Sequence, residues 1–92
     1  MDFTEDEAEA KKAKQVRVRD DFLSSYGISP GTVGAVVDAL PMGSSTARAG
    51  QSLRASEKRE GWVVEVEFYR PNHKPLALLL EKDEYETSLE ET

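Results

Sequence analysis

The chain has 92 residues, with 12 lysines and arginines against 18 aspartates and glutamates, which gives a formal net charge of -6. A chain of this length makes one small domain, residues 1–92, because domains usually contain roughly 100–200 residues. The sequence contains no cysteine, which excludes a disulfide framework, a thiol nucleophile and zinc sites built on thiolates. A cysteine-free chain also fits a reducing compartment, and we expect a cytoplasmic protein.

The sequence predicts neither a membrane anchor nor a signal peptide. Its apolar runs are far shorter than the roughly 20 residues that a membrane-spanning helix needs. The first residues include Asp2 and Glu5, whereas a signal peptide begins with basic residues. The acidic balance also argues against nucleic-acid binding by the whole chain, because phosphate contacts need a basic surface.

The N-terminal residues 1–14 form a charged arm in which acidic residues come first and lysines follow. The arm is predicted either as a frayed helix with i,i+4 ion pairs such as Glu7–Lys11 or as a disordered segment. The next residues, Gln15-Val16-Arg17-Val18, alternate between polar and apolar side chains, which makes them a candidate strand.

Residues 19–40 are predicted to form two short helices around a tight turn. Gly27 is placed to end the first helix, and Ser29-Pro30 supplies an N-cap and a first helical proline for the second. This spacing is that of a helix-turn-helix, although the outward positions are small or acidic where a recognition helix needs Arg, Lys, Asn or Gln. The second helix would bury one apolar stripe, formed by Val33, Val36, Val37 and Leu40.

The C-terminal half is predicted to contain a β-hairpin and a short helix. Residues 43–59 come first and are predicted as a flexible linker or a solvated helix. Trp62 to Tyr69 alternates as a strand does, and the apolar run Leu76 to Leu80 is short enough to be a second strand. Because a lone hairpin is marginal in water, it needs a third strand, a helix cover or a homodimer through an edge strand. An acidic helix begins at Asp83.

These elements predict an α+β fold with an N-terminal helical hairpin, a small antiparallel sheet of two or three strands and a short acidic C-terminal helix. The predicted core lies on one face of the β-hairpin, under the apolar stripe of the second helix. It consists of Trp62, Val64, Val66, Phe68, Leu76, Leu78 and Leu80.

The sequence gives little support to catalysis. His73 is the only histidine, and a histidine in a turn beside Lys74 is more often a solvated residue than a general base. Asp83, Glu84 and Glu86 lack the spacing and central glycine of a calcium-binding loop. Since no glycine-rich nucleotide-binding pattern occurs either, we expect no enzyme, no metal and no cofactor.

Residues 61–90 resemble a known family. Residues 72–80, Asn-His-Lys-Pro-Leu-Ala-Leu-Leu-Leu, are followed by Asp-Glu-Tyr-Glu at 83–86. This pattern resembles the strand and helix start of the prevent-host-death (Phd/YefM) antitoxins, and Gly61 with the strand after it matches the family's preceding strand. The resemblance implies an antitoxin-like protein that binds a protein partner. The family's N-terminal Ser-x-x-Glu-Ala-Arg, which belongs to the part that binds DNA, is not present in order at Ser44 to Leu53, and residues 1–43 have no counterpart in the family.

The favoured function is that of a non-enzymatic regulator or inhibitor, antitoxin-like or like phage-borne inhibitors, which binds a protein partner with a basic surface. A helix-turn-helix transcription regulator, using residues 19–40 and the basic run 11–19, is one alternative. A small accessory or assembly subunit is another. The predicted partner-binding residues are Glu65, Glu67, Tyr69, Arg70, Lys74 and Glu81.

Overall fold

The computed structural model of the chain describes residues 2–41 and 61–92. Within these residues, five strands form a single antiparallel sheet in the order β4-β3-β2-β1-β5. Each of the first three strands pairs with the next, and after the fourth strand the chain returns through a helix to pair the last strand with the first. The elements are α1 (Glu5–Ala10), β1 (Gln15–Val18), β2 (Val33–Pro41), β3 (Trp62–Tyr69), β4 (Leu76–Leu80), α2 (Lys82–Ser88) and β5 (Leu89–Glu91).

The predicted fold class is wrong, because the helical hairpin over residues 19–40 does not form. The segment that was predicted as the second helix forms the strand β2 instead. This strand pairs with β1 along one edge and with β3 along the other. In the first half of this segment the helical structure is one 3-10 turn, Ser24–Tyr26. The valines of β2 are β-branched and favour a strand, and pairing on both edges satisfies its backbone groups. The described protein is therefore mostly sheet.

Several local predictions are confirmed. The strands expected at Trp62–Tyr69 and Leu76–Leu80 have those bounds, and Gln15–Val18 is a strand as its alternation indicated. The acidic helix expected from Asp83 begins one residue earlier. Gly27 has the left-handed φ of 79° expected of a residue that ends a helix, although here it ends only the 3-10 turn.

Residues 1–14 were predicted either as a frayed helix or as a disordered segment, and the structure has the helix α1 within them. Thr4 caps this helix by accepting a hydrogen bond from the backbone N–H of Glu7 at 3.2 Å, and the Glu7 carboxylate accepts one from the backbone N–H of Thr4 at 2.9 Å. The linker or solvated helix predicted for residues 43–59 lies outside the described residues.

Both helices pack on one face of the sheet, which we call the inner face. Ala8 from α1 and Tyr85 from α2 lie in the same buried cluster as the inner side chains of the strands. Gly34 lets β2 and β3 lie close together on this face, because a Cβ there would lie 2.7 Å from the backbone oxygen of Glu67 and 3.0 Å from the Phe68 ring. The inner-face core includes Phe3, Val16, Val18, Leu23, Ile28, Val36, Ala39, Val64, Val66, Phe68, Leu78, Leu80 and Leu89.

The predicted apolar stripe of residues 33–40 is divided between the two faces. Val36 is buried in the inner core, whereas Val33 is 51% exposed on the opposite, outer face. The register shifts between Val36 and Asp38, and beyond this bulge Leu40 packs against Val63 on the outer face. Side chains that share a stripe in a helix alternate across a strand, which is why the predicted packing fails.

Tyr85 joins the two helices and the last strand. Its ring packs edge-to-face on Phe3, with ring centroids 5.9 Å apart, and the Lys11 ammonium lies 5.3 Å from the ring centroid. The Tyr85 hydroxyl donates a 2.9 Å hydrogen bond to Glu91, which also pairs with Lys11 at 2.7 Å. Burial and this hydrogen bond raise the pKa of Tyr85. We call these four residues the Tyr85 junction.

Replacing Phe68 by alanine tests the position of the core. Phe68 is fully buried on the inner face, so Phe68→Ala should cost about 3–5 kcal/mol, most of the stability of a small domain. Phe22→Ala is the matched control, because Phe22 is 50% exposed. Urea denaturation of both variants measures the difference. Equal losses of stability would show that the core is elsewhere.

The Tyr85 junction should contribute stability that depends on pH. The Lys11 ammonium, helped by the Tyr85 hydroxyl, holds the pKa of Glu91 below its usual 4.5. A depressed folded-state pKa gives stability that is present above the unfolded-state value and is lost as the pH falls through the folded-state value. Glu91→Gln should therefore be less stable than the parent near neutral pH, and the gap should narrow at an acid pH below 4.5, as Glu91 becomes protonated.

Urea denaturation at both pH values measures this gap. Glu86→Gln, which removes an exposed carboxylate of α2, is the control for the change in net charge. A gap for Glu91→Gln that stays constant with pH would contradict the ionic role of Glu91.

Candidate functional site

The outer face of the sheet carries two rows of side chains that run across the strands. In the first row, Arg17 of β1 is paired with Glu90 of β5 and with Val33 of β2, which in turn is paired with Tyr69 of β3. In the second row, the strand pairing brings together Gln15, Ala35, Glu67 and Ala77. The two rows are adjacent because their members lie two residues apart on each strand.

A hollow of about 300 Å³ opens on this face. Its floor is low because Ala35, the outward residue of β2 beside the Gly34 backbone, has a small side chain, whereas Val33 and Tyr69 stand beside it. The walls are completed by Gln15 and Thr92, whose backbone groups are hydrogen-bonded at 3.0 Å. The hollow is therefore a product of residue size on neighbouring strands.

Val33 and Tyr69 are large side chains that remain accessible to solvent. Val33 is 51% exposed and Tyr69 is 43% exposed, and they face each other across β2 and β3. Apolar side chains scattered singly on a surface need no explanation, but here two adjoin a hollow. This arrangement can accept an apolar surface or a long side chain of another molecule.

The hollow has an acidic neighbour in Glu67. Glu67 lies across from Ala35 in the second row and two residues before Tyr69 on β3. Partial burial raises the pKa of Tyr69, and a hydrogen bond with the Glu67 carboxylate raises it further. The phenol therefore stays a neutral hydrogen-bond donor, and the negative charge at this end of the face lies on Glu67.

The predicted partner-binding residues do not form one patch. Glu65 is only 1% exposed, so it cannot belong to an outward acidic row. Arg70 and Lys74 lie in the turn after β3, where the Arg70 guanidinium donates to the Lys74 carbonyl at 3.3 Å. Glu81 lies at the opposite end of β4, as the N-cap of α2. Glu67 and Tyr69 are the predicted pair that the structure places beside the hollow.

Sequence reasoning missed the contributions of β1 and β2 to this site. Val33 was assigned to a buried helical stripe, and neither Gln15 nor Ala35 was predicted to be a binding residue. The β-branched valines at 33, 36 and 37 favour a strand and could have indicated the outer-face positions, had the segment been interpreted as one. The signal was ambiguous because these positions also fit a helical period.

The basic run of residues 11–19 is largely engaged within the protein. Arg17 donates from Nε to Glu90 at 2.7 Å, and Arg19 donates to the carbonyls of Glu86 and Thr87 at 3.0 and 2.7 Å. Lys12 pairs with Glu9 at 3.0 Å. These contacts hold α2 and β5 against β1. The DNA-binding alternative thus loses its recognition helix and much of its phosphate-binding surface, and DNA binding itself stays a prediction.

The described residues offer little to a catalytic or metal-binding interpretation. His73 lies exposed in the turn between β3 and β4. Within residues 2–41 and 61–92, no three His, Asp or Glu side chains are grouped so that they could hold a metal ion. In the same residues no helix has the length and apolar character required to cross a membrane.

Comparison with known proteins does not assign the chain to a family. No family model matches the chain, and no match was found among curated proteins or among solved structures. The resemblance of residues 61–90 to the Phd/YefM antitoxins therefore stays a prediction.

His73→Ala tests whether the turn histidine has a chemical role. We expect its unfolding free energy to stay within about 0.5 kcal/mol of the parent, as for other surface substitutions, and its biological activity to be retained. Urea denaturation and an assay of the parent activity in the source cells measure the two effects. Loss of activity with an intact fold would contradict the non-catalytic interpretation.

Proposed function

We propose that this protein is a non-enzymatic regulator or inhibitor that binds a protein partner with a basic surface through the outer face of its sheet. The observation that supports this proposal best is the exposed Val33–Tyr69 pair beside the hollow. Protein interfaces obtain most of their binding energy from a few such anchors, and tyrosine is among the commonest. The cysteine-free sequence favours a cytoplasmic location.

The partner's charge is inferred from the charge of this chain. Its net charge is -6, and complementary charge accelerates and orients encounter more than it increases affinity. On the outer face, Glu67 stands beside Tyr69, and the positive charge of Arg17 is matched by Glu90. A basic partner would therefore meet an acidic protein in which Glu90 already neutralises Arg17 on this face.

Substitution of the two exposed residues tests the proposal. A Val33→Thr, Tyr69→Ser double variant should keep its fold but lose at least about tenfold in affinity for the partner, since interface anchors are worth about 2 kcal/mol each. Phe22→Ser is the matched control, because Phe22 is equally exposed but does not line the hollow. Quantitative pull-downs from source cells identify the proteins that the parent and the control retain and the double variant loses.

Two further outcomes decide the proposal. The proteins whose capture depends on Val33 and Tyr69 should have a basic surface, and their capture should weaken above about 0.15 M salt. If the double variant captures the same proteins in the same amounts as the parent, the outer face is not the binding surface.

A further inference from the structure

We infer that the hollow on the outer face binds an arginine side chain of the partner, with its aliphatic part against Val33 and Ala35 and its guanidinium on the Tyr69 ring, beside the Glu67 carboxylate. This inference rests on the proposed function, because it names the group of the basic partner that the face recognises. It follows from three features of the two rows: their shape, their apolar floor and the position of their charges.

The shape favours a long side chain over a flat surface. The hollow lies over the smallest residues of the central strand, Gly34 and Ala35, and Val33 and Tyr69 stand above them. Arginine packs its methylene groups along apolar surface while its charged end reaches a polar rim. Val33 and Ala35 supply such a surface, and the rim is formed by Gln15, Thr92 and Tyr69.

The charges favour a cation at the Tyr69 end. Glu67 is the cross-strand neighbour of Ala35 and lies on the same face as Tyr69, so its carboxylate is next to two residues that line the hollow. A carboxylate has about four acceptor positions, so the hydrogen bond with Tyr69 leaves room for a second donor. At the other end of the two rows, Glu90 neutralises Arg17, so Arg17 repels an entering cation only weakly.

Arginine suits this site better than lysine. Its planar guanidinium can stack on the Tyr69 ring and at the same time donate to a carboxylate in the ring's neighbourhood. A lysine ammonium is a compact and strongly hydrated charge, which gains less from the flat ring. A neutral side chain of the same shape would gain the packing but not the charge interaction.

Titration of the isotopically labelled protein with small probes, followed by NMR, tests the inference. The probes are N-acetyl-arginine methylamide and its neutral isostere N-acetyl-citrulline methylamide, each added up to about 10 mM because single side chains bind weakly. We expect the arginine probe to shift the amide signals of residues 33–35 and 67–69 and to bind at least about threefold more tightly than the citrulline probe.

Glu67→Gln should abolish this preference for the arginine probe. Glu86→Gln is the matched control, since it removes the same charge from α2, outside the two rows, and should keep the preference. The amide spectra of both variants report whether the fold is intact. A preference that survives Glu67→Gln would overturn the inference.

The remaining outcomes separate this inference from the proposed function. Equal binding of the two probes, or no shift at these residues, would overturn the arginine site, while the pull-down comparison would still decide whether the face binds a protein. Shifts at residues 33–35 that change with protein concentration in the absence of a probe would show that a second copy of the chain covers the hollow. That result would also overturn the inference.

Discussion

The arrangement of the molecule depends on how Tyr85 fixes the two helices against one face of the sheet. The ring lies between the two ends of α1, since Phe3 immediately precedes the helix cap and Lys11 follows the last helical residue. Its hydroxyl is bonded to Glu91 of β5. One buried side chain therefore connects α1, α2 and the edge strand. Because helices of six and seven residues are unstable alone, they depend on this packing.

Placement of both helices on the inner face determines which surface is available for binding. Ion pairs reinforce the placement: Lys82 of α2 pairs with Glu7 of α1 at 2.9 Å, and Arg17 joins β1 to Glu90 of β5. Much of the charge near the N-terminus is thus used in contacts within the protein. Among residues 2–41 and 61–92, the large apolar side chains that stay exposed on the sheet, Val33 and Tyr69, lie on the other face.

The elements β1, β3, β4 and α2 could be predicted from the sequence, because the residue pattern of each segment fits few other structures. The alternation of Trp62–Tyr69 cannot be accommodated in a helix, and Pro71-Asn72 marks the turn that follows. The segment after Gly27 carried two signals in conflict. Ser29-Pro30 is typical of a helix start, whereas the valines favour a strand, and only pairing with strands on both sides decides between them.

Only part of the candidate site could be predicted, because the site also depends on how the strands pair. Glu67 and Tyr69 follow from the alternation of β3, but the burial of Glu65 depends on the surroundings of the folded sheet. The opposite side of the hollow comes from β1 and β2, and its position depends on register. A register shift of one residue moves every side chain to the other face, so the hollow could not be inferred before the pairing was known.

The claim that residues 33–41 form a strand with Val33 on an accessible face is tested most directly by the solvent accessibility of Val33 relative to that of Val36. The two valines would lie on one stripe of a helix, but they lie on opposite faces of β2, with Val33 exposed and Val36 buried. Methyl relaxation in the presence of a soluble gadolinium chelate measures this difference by NMR. The structure predicts strong relaxation enhancement for the Val33 methyl groups and little for those of Val36. Equal protection of both residues would contradict the exposure of the outer face at Val33.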